Sequence, residues 1–220
     1  MSLARKIPAV AYAALSIADT VLAGTKKDST LRAVTKAALM PTLAAATVAS
    51  TSQPDKALLA AQAFSWGGDV ALLKDGEPAF LAGAGSFGLA HAAYSSIWRR
   101  HQGKGFLKRP STGLIAASTL AAAPMMAIAA GKKHPALGVA VGVYSAALSL
   151  VAAQACALDE NIDSTTRGLI AAGALSFLAS DTILGANMFL FKTKSPVAEQ
   201  AVMATYTAAQ GLLAMGVRRL

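Results

Sequence analysis

Charge is scarce in this chain. Of its 220 residues, 14% are charged, whereas an ordinary soluble domain carries about 25%. Cysteine is nearly absent, because Cys156 stands alone, and that excludes a disulfide scaffold. Aromatic residues make up 6%, so large rings do not account for a hydrophobic share of 55%. There is no G-x-S-x-G nucleophile elbow and no P-loop, and the one Gly-rich string of dinucleotide type, residues 83–88, is embedded in an apolar helical segment and not at a strand-to-helix turn. The hydrophobic share excludes a disordered chain, and the shortage of charge excludes an ordinary water-soluble enzyme. What is present is alanine, 52 residues of it, with 18 glycines beside them. Such small residues let helix backbones approach closely, as in packed membrane helices.

A helix needs roughly 20 mostly apolar residues to cross the hydrocarbon core. Cutting the chain at its charge and Pro/Gly clusters leaves candidates near 7–23, 33–50, 56–73, 79–98, 111–130, 136–157, 167–190 and 198–217. The polar breaks between them, such as Lys74-Asp75-Gly76-Glu77-Pro78 and residues 99–110, are too short to hold a second domain. Period-2 alternation is missing, and Ala and Leu favour helix. The sequence therefore predicts an all-α integral membrane protein, a single bundle of about eight transmembrane helices within residues 1–220. Arg5 and Lys6 ahead of the first apolar run also fit a signal peptide. No clean small-x-small cleavage site follows, and Asp19 interrupts the run, so this segment reads as a retained helix.

The net charge is +9, from 20 basic and 11 acidic residues, and it is clustered. With the N-terminus inside, up-and-down threading places 11 Lys and Arg on the cytoplasmic side: Arg5, Lys6, Lys56, Arg99, Arg100, Lys104, Lys108, Arg109, Arg167, Arg218 and Arg219. The other side holds 8: Lys26, Lys27, Arg32, Lys74, Lys132, Lys133, Lys192 and Lys194. The positive-inside rule then puts both termini in the cytoplasm, with the plasma (inner) membrane as the expected location. These basic residues lie at helix ends without interleaved aromatics, which fits contact with the bilayer's anionic headgroups and not with nucleic acid. Nothing in the sequence identifies a protein partner.

Ionisable groups within a bilayer cost several kcal/mol and tend to mark function. Here they are Asp19, Lys36, Asp69, His91 and Asp181, with Tyr144, Tyr206 and Gln210 as uncharged companions. Asp19, Asp69 and Asp181 lie past the midpoints of the first, third and seventh segments. Lys36, Tyr144 and Tyr206 lie before the midpoints of the second, sixth and eighth, which run the other way. Threading therefore gathers most of the set into one half of the membrane. His91 and Tyr94, and Tyr206 and Gln210, are spaced to share a helix face. Gly67-Gly68 before Asp69 permits close helix approach, and Pro41 after Lys36 loosens the preceding turn.

Plainer roles compete with these. Asp19 can pair near a helix end, Lys36 can snorkel, the tyrosines can pack with satisfied hydroxyls, and a lone His91 can be structural. Asp69 and Asp181, deep and flanked by apolar residues, resist such accounts. A zinc site is disfavoured, with Asp69, Asp181 and His91 as poor ligands at best. Gly83-Ala84-Gly85-Ser86-Phe87-Gly88 reads as helix packing, and the likeness of residues 18–23 to 180–185 carries no symmetry.

The pattern resembles the YhhN family of multi-spanning membrane proteins, which includes mammalian lysoplasmalogenases. The resemblance runs through Thr35-Lys36-Ala37-Ala38-Leu39-Met40-Pro41, Ser65-Trp66-Gly67-Gly68-Asp69, Phe80-Leu81-Ala82-Gly83 and Ala90-His91-Ala92-Ala93-Tyr94. It continues through Tyr144, Phe177-Leu178-Ala179-Ser180-Asp181 and Tyr206-Thr207-Ala208-Ala209-Gln210. Ala37 stands where the family has proline. The resemblance implies hydrolysis of the sn-1 vinyl ether of a lysophospholipid to a fatty aldehyde and glycerophospho-choline or -ethanolamine; no cofactor is expected. A vinyl ether accepts a proton at its β-carbon, which calls for a general acid and an anion to steady the cation. On that reading Asp69 and Asp181 divide these roles, and His91 and Lys36 set which carboxyl holds the proton. Tyr144, Tyr206, Gln210, Tyr94 and Asp19 would serve the substrate. A proton-coupled transporter of small molecules or lipids is the alternative, because Asp, Lys and His also build relays. A non-catalytic scaffold is a third possibility.

Overall fold

Capping chemistry fixes where the helices begin. Ser29, Asp55, Asp163 and Ser195 accept backbone N–H bonds at four helix N-termini. Pro78, Pro110, Pro135 and Pro196 occupy first turns, where a missing N–H costs nothing. The result, in a computed structural model, is eight α-helices: α1 Leu3–Thr25, α2 Thr30–Ser50, α3 Lys56–Ala71, α4 Glu77–Arg100, α5 Pro110–Gly131, α6 Pro135–Ala155, α7 Ser164–Phe189 and α8 Pro196–Val217. The structure describes residues 3–25, 29–191, 193 and 195–220, with side chains from residue 6 onward. Lys26, Lys27, Lys192, Lys194 and the Arg5 side chain, counted above for orientation, lie outside the described residues. Each helix covers its expected segment to within about a turn. A short 3₁₀ turn, Phe106–Lys108, inside the 99–110 break is an addition.

Five helices are long and apolar enough to cross a membrane: α1 from Lys6, α2, α5, α6 and α7. Of the others, α3 has 16 residues, short of the roughly 20 a span requires. Polar residues dilute α4 (His91, Tyr94, Arg99, Arg100) and α8 (Glu199, Gln200, Gln210). The surface is inverted relative to a soluble protein. Val10, Ile17, Leu114, Leu120 and Val143 are exposed, while Asp19, Ser65, Asp69 and Gln210 are buried. This suggests a multi-pass membrane protein.

The helices run in a ring, α1–α2–α3–α4–α6–α7–α8, which α8 closes against α1, and α5 packs outside it on α6 and α7. Small residues set the spacing. A Cβ on Gly173 of α7 would stand 3.0 Å from the Leu213 amide nitrogen and 3.1 Å from the Ala209 carbonyl oxygen on α8. One on Gly138 of α6 would stand 2.9 Å from the Ala127 carbonyl oxygen on α5. At both positions any side chain would force the neighbouring helix backbone to shift.

Pro41 does not break α2. It leaves the Ala37 carbonyl without its helical donor, and the Trp66 indole N–H of α3 fills that place at 2.9 Å. At one end of the bundle the α4–α5 and α6–α7 loops clasp each other. Gly103 donates to the Ala157 carbonyl at 3.0 Å and Asp159 to that of His101 at 2.9 Å. Arg100–Asp55 and Arg109–Glu160 ion pairs flank them. Here the Thr166 amide donates to Asp163 and holds its carboxyl below the usual range, while burial pushes the Cys156 thiol up. At the opposite end His134 pairs with Glu77 at 2.9 Å, and Lys133 donates to the Met188 carbonyl.

Candidate active site

Because α5 lies outside the ring, a space remains between it and α4, with α6 and α7 as the floor. This cavity, about 180 Å³, is walled by apolar side chains that include Phe80, Phe87, Met126, Leu148, Leu178 and Phe189. Asp181 of α7 and Tyr144 of α6 also line it. The Tyr144 hydroxyl donates a hydrogen bond to Asp181 Oδ2, leaving the second carboxyl oxygen outside that bond. His91 Nε2 of α4 lies 3.0 Å from the same hydroxyl. Since Tyr144 spends its only hydrogen on Asp181, Nε2 must carry the hydrogen that Tyr144 accepts. Three helices thus supply one directed chain, His91 to Tyr144 to Asp181. The arrangement can pass a proton towards, or withdraw one from, a group in the cavity.

Asp69 belongs to a second cluster. Its Oδ1 faces Lys36 Nζ at 3.5 Å and its Oδ2 accepts the Tyr206 hydroxyl at 2.7 Å. Lys36 also reaches Met203 Sδ at 3.8 Å. Between the clusters stand Phe87 and Phe177, edge-on to each other and to Tyr206, with Phe177 against His91 as well. The two carboxyls therefore lie on either side of an aromatic wall.

The remaining candidates sit apart from the cavity in networks of their own. Tyr94 donates to Gln210 at 2.7 Å, and Gln210 donates to Ser65 at 2.9 Å. Asp19 accepts the Thr35 hydroxyl at 2.8 Å and pairs with Arg32 at 3.3 Å. Arg32 was counted above with the loop charges, and the structure corrects that. It lies in α2, 7% exposed, because Asp19 draws its guanidinium into the bundle. Among the described residues no group of three or more His, Cys, Asp or Glu is placed to hold a metal ion.

The model of the YhhN family matches residues 31–217, which include Lys36, Asp69, His91, Tyr144, Asp181 and Tyr206. The chain belongs to the YhhN family. No curated protein and no solved structure matches it. In this YhhN chain the sequence motifs meet as two carboxyl clusters sharing an aromatic wall. The sequence reading missed the wall residues Phe87 and Phe177, and it missed Ser118, Thr119, Ser145 and Ser149, which line the cavity. The spacing of Ser145 and Ser149, one helical turn apart on α6, was the available signal. In an alanine-rich helix it does not stand out from ordinary hydroxyl-to-backbone bonding.

Proposed function

We propose that the protein is a membrane-embedded hydrolase that cleaves the sn-1 vinyl ether of lysoplasmalogen, releasing fatty aldehyde and a glycerophospho-alcohol. One observation carries the reading: the hydrogen-bonded chain His91–Tyr144–Asp181 ends on the wall of a largely apolar cavity. Membership of the YhhN family is compatible with it. Asp181 in its acid form would give its proton to the β-carbon of the vinyl ether. The π electrons form the new C–H bond, and the ether oxygen shares the resulting positive charge as an oxocarbenium ion. Water then adds to the α-carbon and returns a proton to the Asp181 carboxylate, and the hemiacetal splits into aldehyde and alcohol. Tyr144 and His91 hold the carboxyl in place. Asp69, which meets Lys36 and the Tyr206 hydroxyl beyond the aromatic wall, is the carboxyl placed to steady the cation.

Purified protein in nanodiscs, incubated with lysoplasmalogen, should release aldehyde, and Asp181→Asn should lower that rate by about 100-fold or more. Folded wild-type protein that releases no aldehyde would overturn the proposal. Flux in proteoliposomes would then test the transport alternative.

A further inference from the structure

The two ends of the cavity differ. Towards the loop clasp it stops at Ser118 and Thr119 of α5 and Ser149 of α6, where the Thr119 and Ser149 hydroxyls meet at 2.5 Å. About 14 Å of helix rise still separates Ser118 from Arg109 at the start of α5. At the other end the lining includes Phe80, three residues into α4, and Phe189, the last residue of α7. Only there does the cavity reach an end of the bundle.

That rim carries a cation. Lys133, in the α5–α6 turn, holds its ammonium 5.4 Å from the centroid of the Phe189 ring and donates to the Met188 carbonyl at 2.9 Å. Phe189 stands edge-on to Phe80, so the charge lies against the aromatic pair that frames the opening. An ammonium has three donors, and Met188 takes one of them. Among the described residues no carboxylate pairs with Lys133. Glu77, the acid of this rim, is engaged by His134. A largely apolar space ending on a cation without a counter-charge suits an amphiphile with an anionic head.

We infer that Lys133 binds the phosphate of the lipid that enters the cavity, which draws that lipid from the leaflet facing the α5–α6 turn and not from the leaflet facing the clasp. This deepens the function proposed above and rests on it for the identity of the lipid alone.

The lengths agree. Phe189 lies eight residues beyond Asp181 on α7, about 12 Å of rise. In a lysoplasmalogen eight bonds separate the vinyl β-carbon from a phosphate oxygen, about 9 Å when extended. A charge-assisted hydrogen bond of about 2.8 Å to Lys133 covers the rest. A lipid whose vinyl ether meets Asp181 therefore brings its phosphate to Lys133, and its chain continues past Asp181 between Phe87 of α4 and Ala122 of α5.

Binding of non-cleavable lipids to the full chain in nanodiscs tests this without the reaction. The probes are a 1-O-alkyl-glycerophosphocholine and a 1-O-alkylglycerol with the same chain. Wild type should prefer the phosphate-bearing probe by about tenfold or more, the worth of a hydrogen bond between charged groups. Lys133→Gln, which keeps a donor for the Met188 carbonyl, should erase that preference, and Lys133→Arg should retain it. Lys132→Gln, one residue away, should leave it unchanged. Equal binding of both probes by wild type would overturn the inference, and so would equal losses in the two glutamine variants, which mean a diffuse surface charge. Chain-free glycerophosphocholine should compete at least 100-fold more weakly than the lipid; equal competition would make this a site for free phosphates and not for a lipid. A photoreactive group on the headgroup should label residues 132–136 of wild type, a result independent of any variant's folding. Labelling of the α4–α5 loop instead would put the headgroup at the wrong end and sink the idea. A phosphate preference without aldehyde release from lysoplasmalogen leaves the site standing and the hydrolase reading fallen, and aldehyde release without the preference does the reverse.

Discussion

At the scale of single residues, two aspartates that look alike in sequence have unlike surroundings. Asp181 touches the cavity and accepts one phenolic hydroxyl. Asp69 is 1% exposed and meets both a lysine and a phenol. Lys36 needs a partner as much as Asp69 does, since a lone buried charge is far more costly than a paired one. Lys36→Met should therefore destabilise the fold by about 3–5 kcal/mol, and Lys36→Met combined with Asp69→Leu should recover most of that loss. The midpoint of SDS-induced unfolding in bicelles measures both. A single variant as stable as wild type would mean that the 3.5 Å pair contributes nothing. Snorkelling, one of the roles open to Lys36 from its sequence position, is not what the structure holds. The ammonium group points inward to Asp69 and Met203.

At the scale of helices, α2 and α3 depend on each other through an exchange of donors. Pro41 withdraws an N–H from the Ala37 carbonyl, and Trp66 replaces it from the neighbouring helix. Trp66→Phe should cost about 1 kcal/mol in the natural background. In Pro41→Ala, where the backbone N–H is restored, the same change should cost close to nothing. A double-mutant cycle on unfolding midpoints reads the coupling directly, and equal costs in the two backgrounds would refute it. Helix limits were legible to within about a turn because charge and Pro/Gly clusters interrupt the apolar runs, while the caps Ser29 and Asp163 start α2 and α7 three residues earlier than those breaks indicate. The Trp66 bond was not legible, because nothing local to residue 66 indicates which carbonyl on another helix lacks its donor.

For the whole molecule, the charge pattern carries an orientation. With Arg32 withdrawn into the bundle by Asp19, seven Lys and Arg remain by sequence on the side opposite the termini, against 11 on the other. The positive-inside bias towards a cytoplasmic N- and C-terminus is therefore stronger than the sequence count alone implied. In a Cys156→Ala background, Arg218→Cys should react with an impermeant maleimide from the cytoplasmic face, and Lys132→Cys from the opposite face. The reverse labelling pattern would invert the topology. The clasp between the α4–α5 and α6–α7 loops puts Arg100, Arg109, Asp159 and Glu160 at one end of the bundle, so the sidedness of one loop reports on both.

The sequence by itself determined what local chemistry and composition can determine. Low charge and abundant alanine imply a membrane bundle, polar breaks mark the helices, and motif residues point to the YhhN family. It also placed each candidate site residue by height along its helix, because rise per residue converts position into height. Only the tertiary structure decided which of those residues meet. Height leaves open the direction a helix face takes and the neighbour it finds. That choice follows from glycine-mediated contacts such as Gly173 against α8 and from the placement of α5 outside the ring. Those contacts put Asp181 on a cavity and Asp69 behind Phe87 and Phe177. They also brought Thr119 and Ser149, unremarkable in their own helices, face to face.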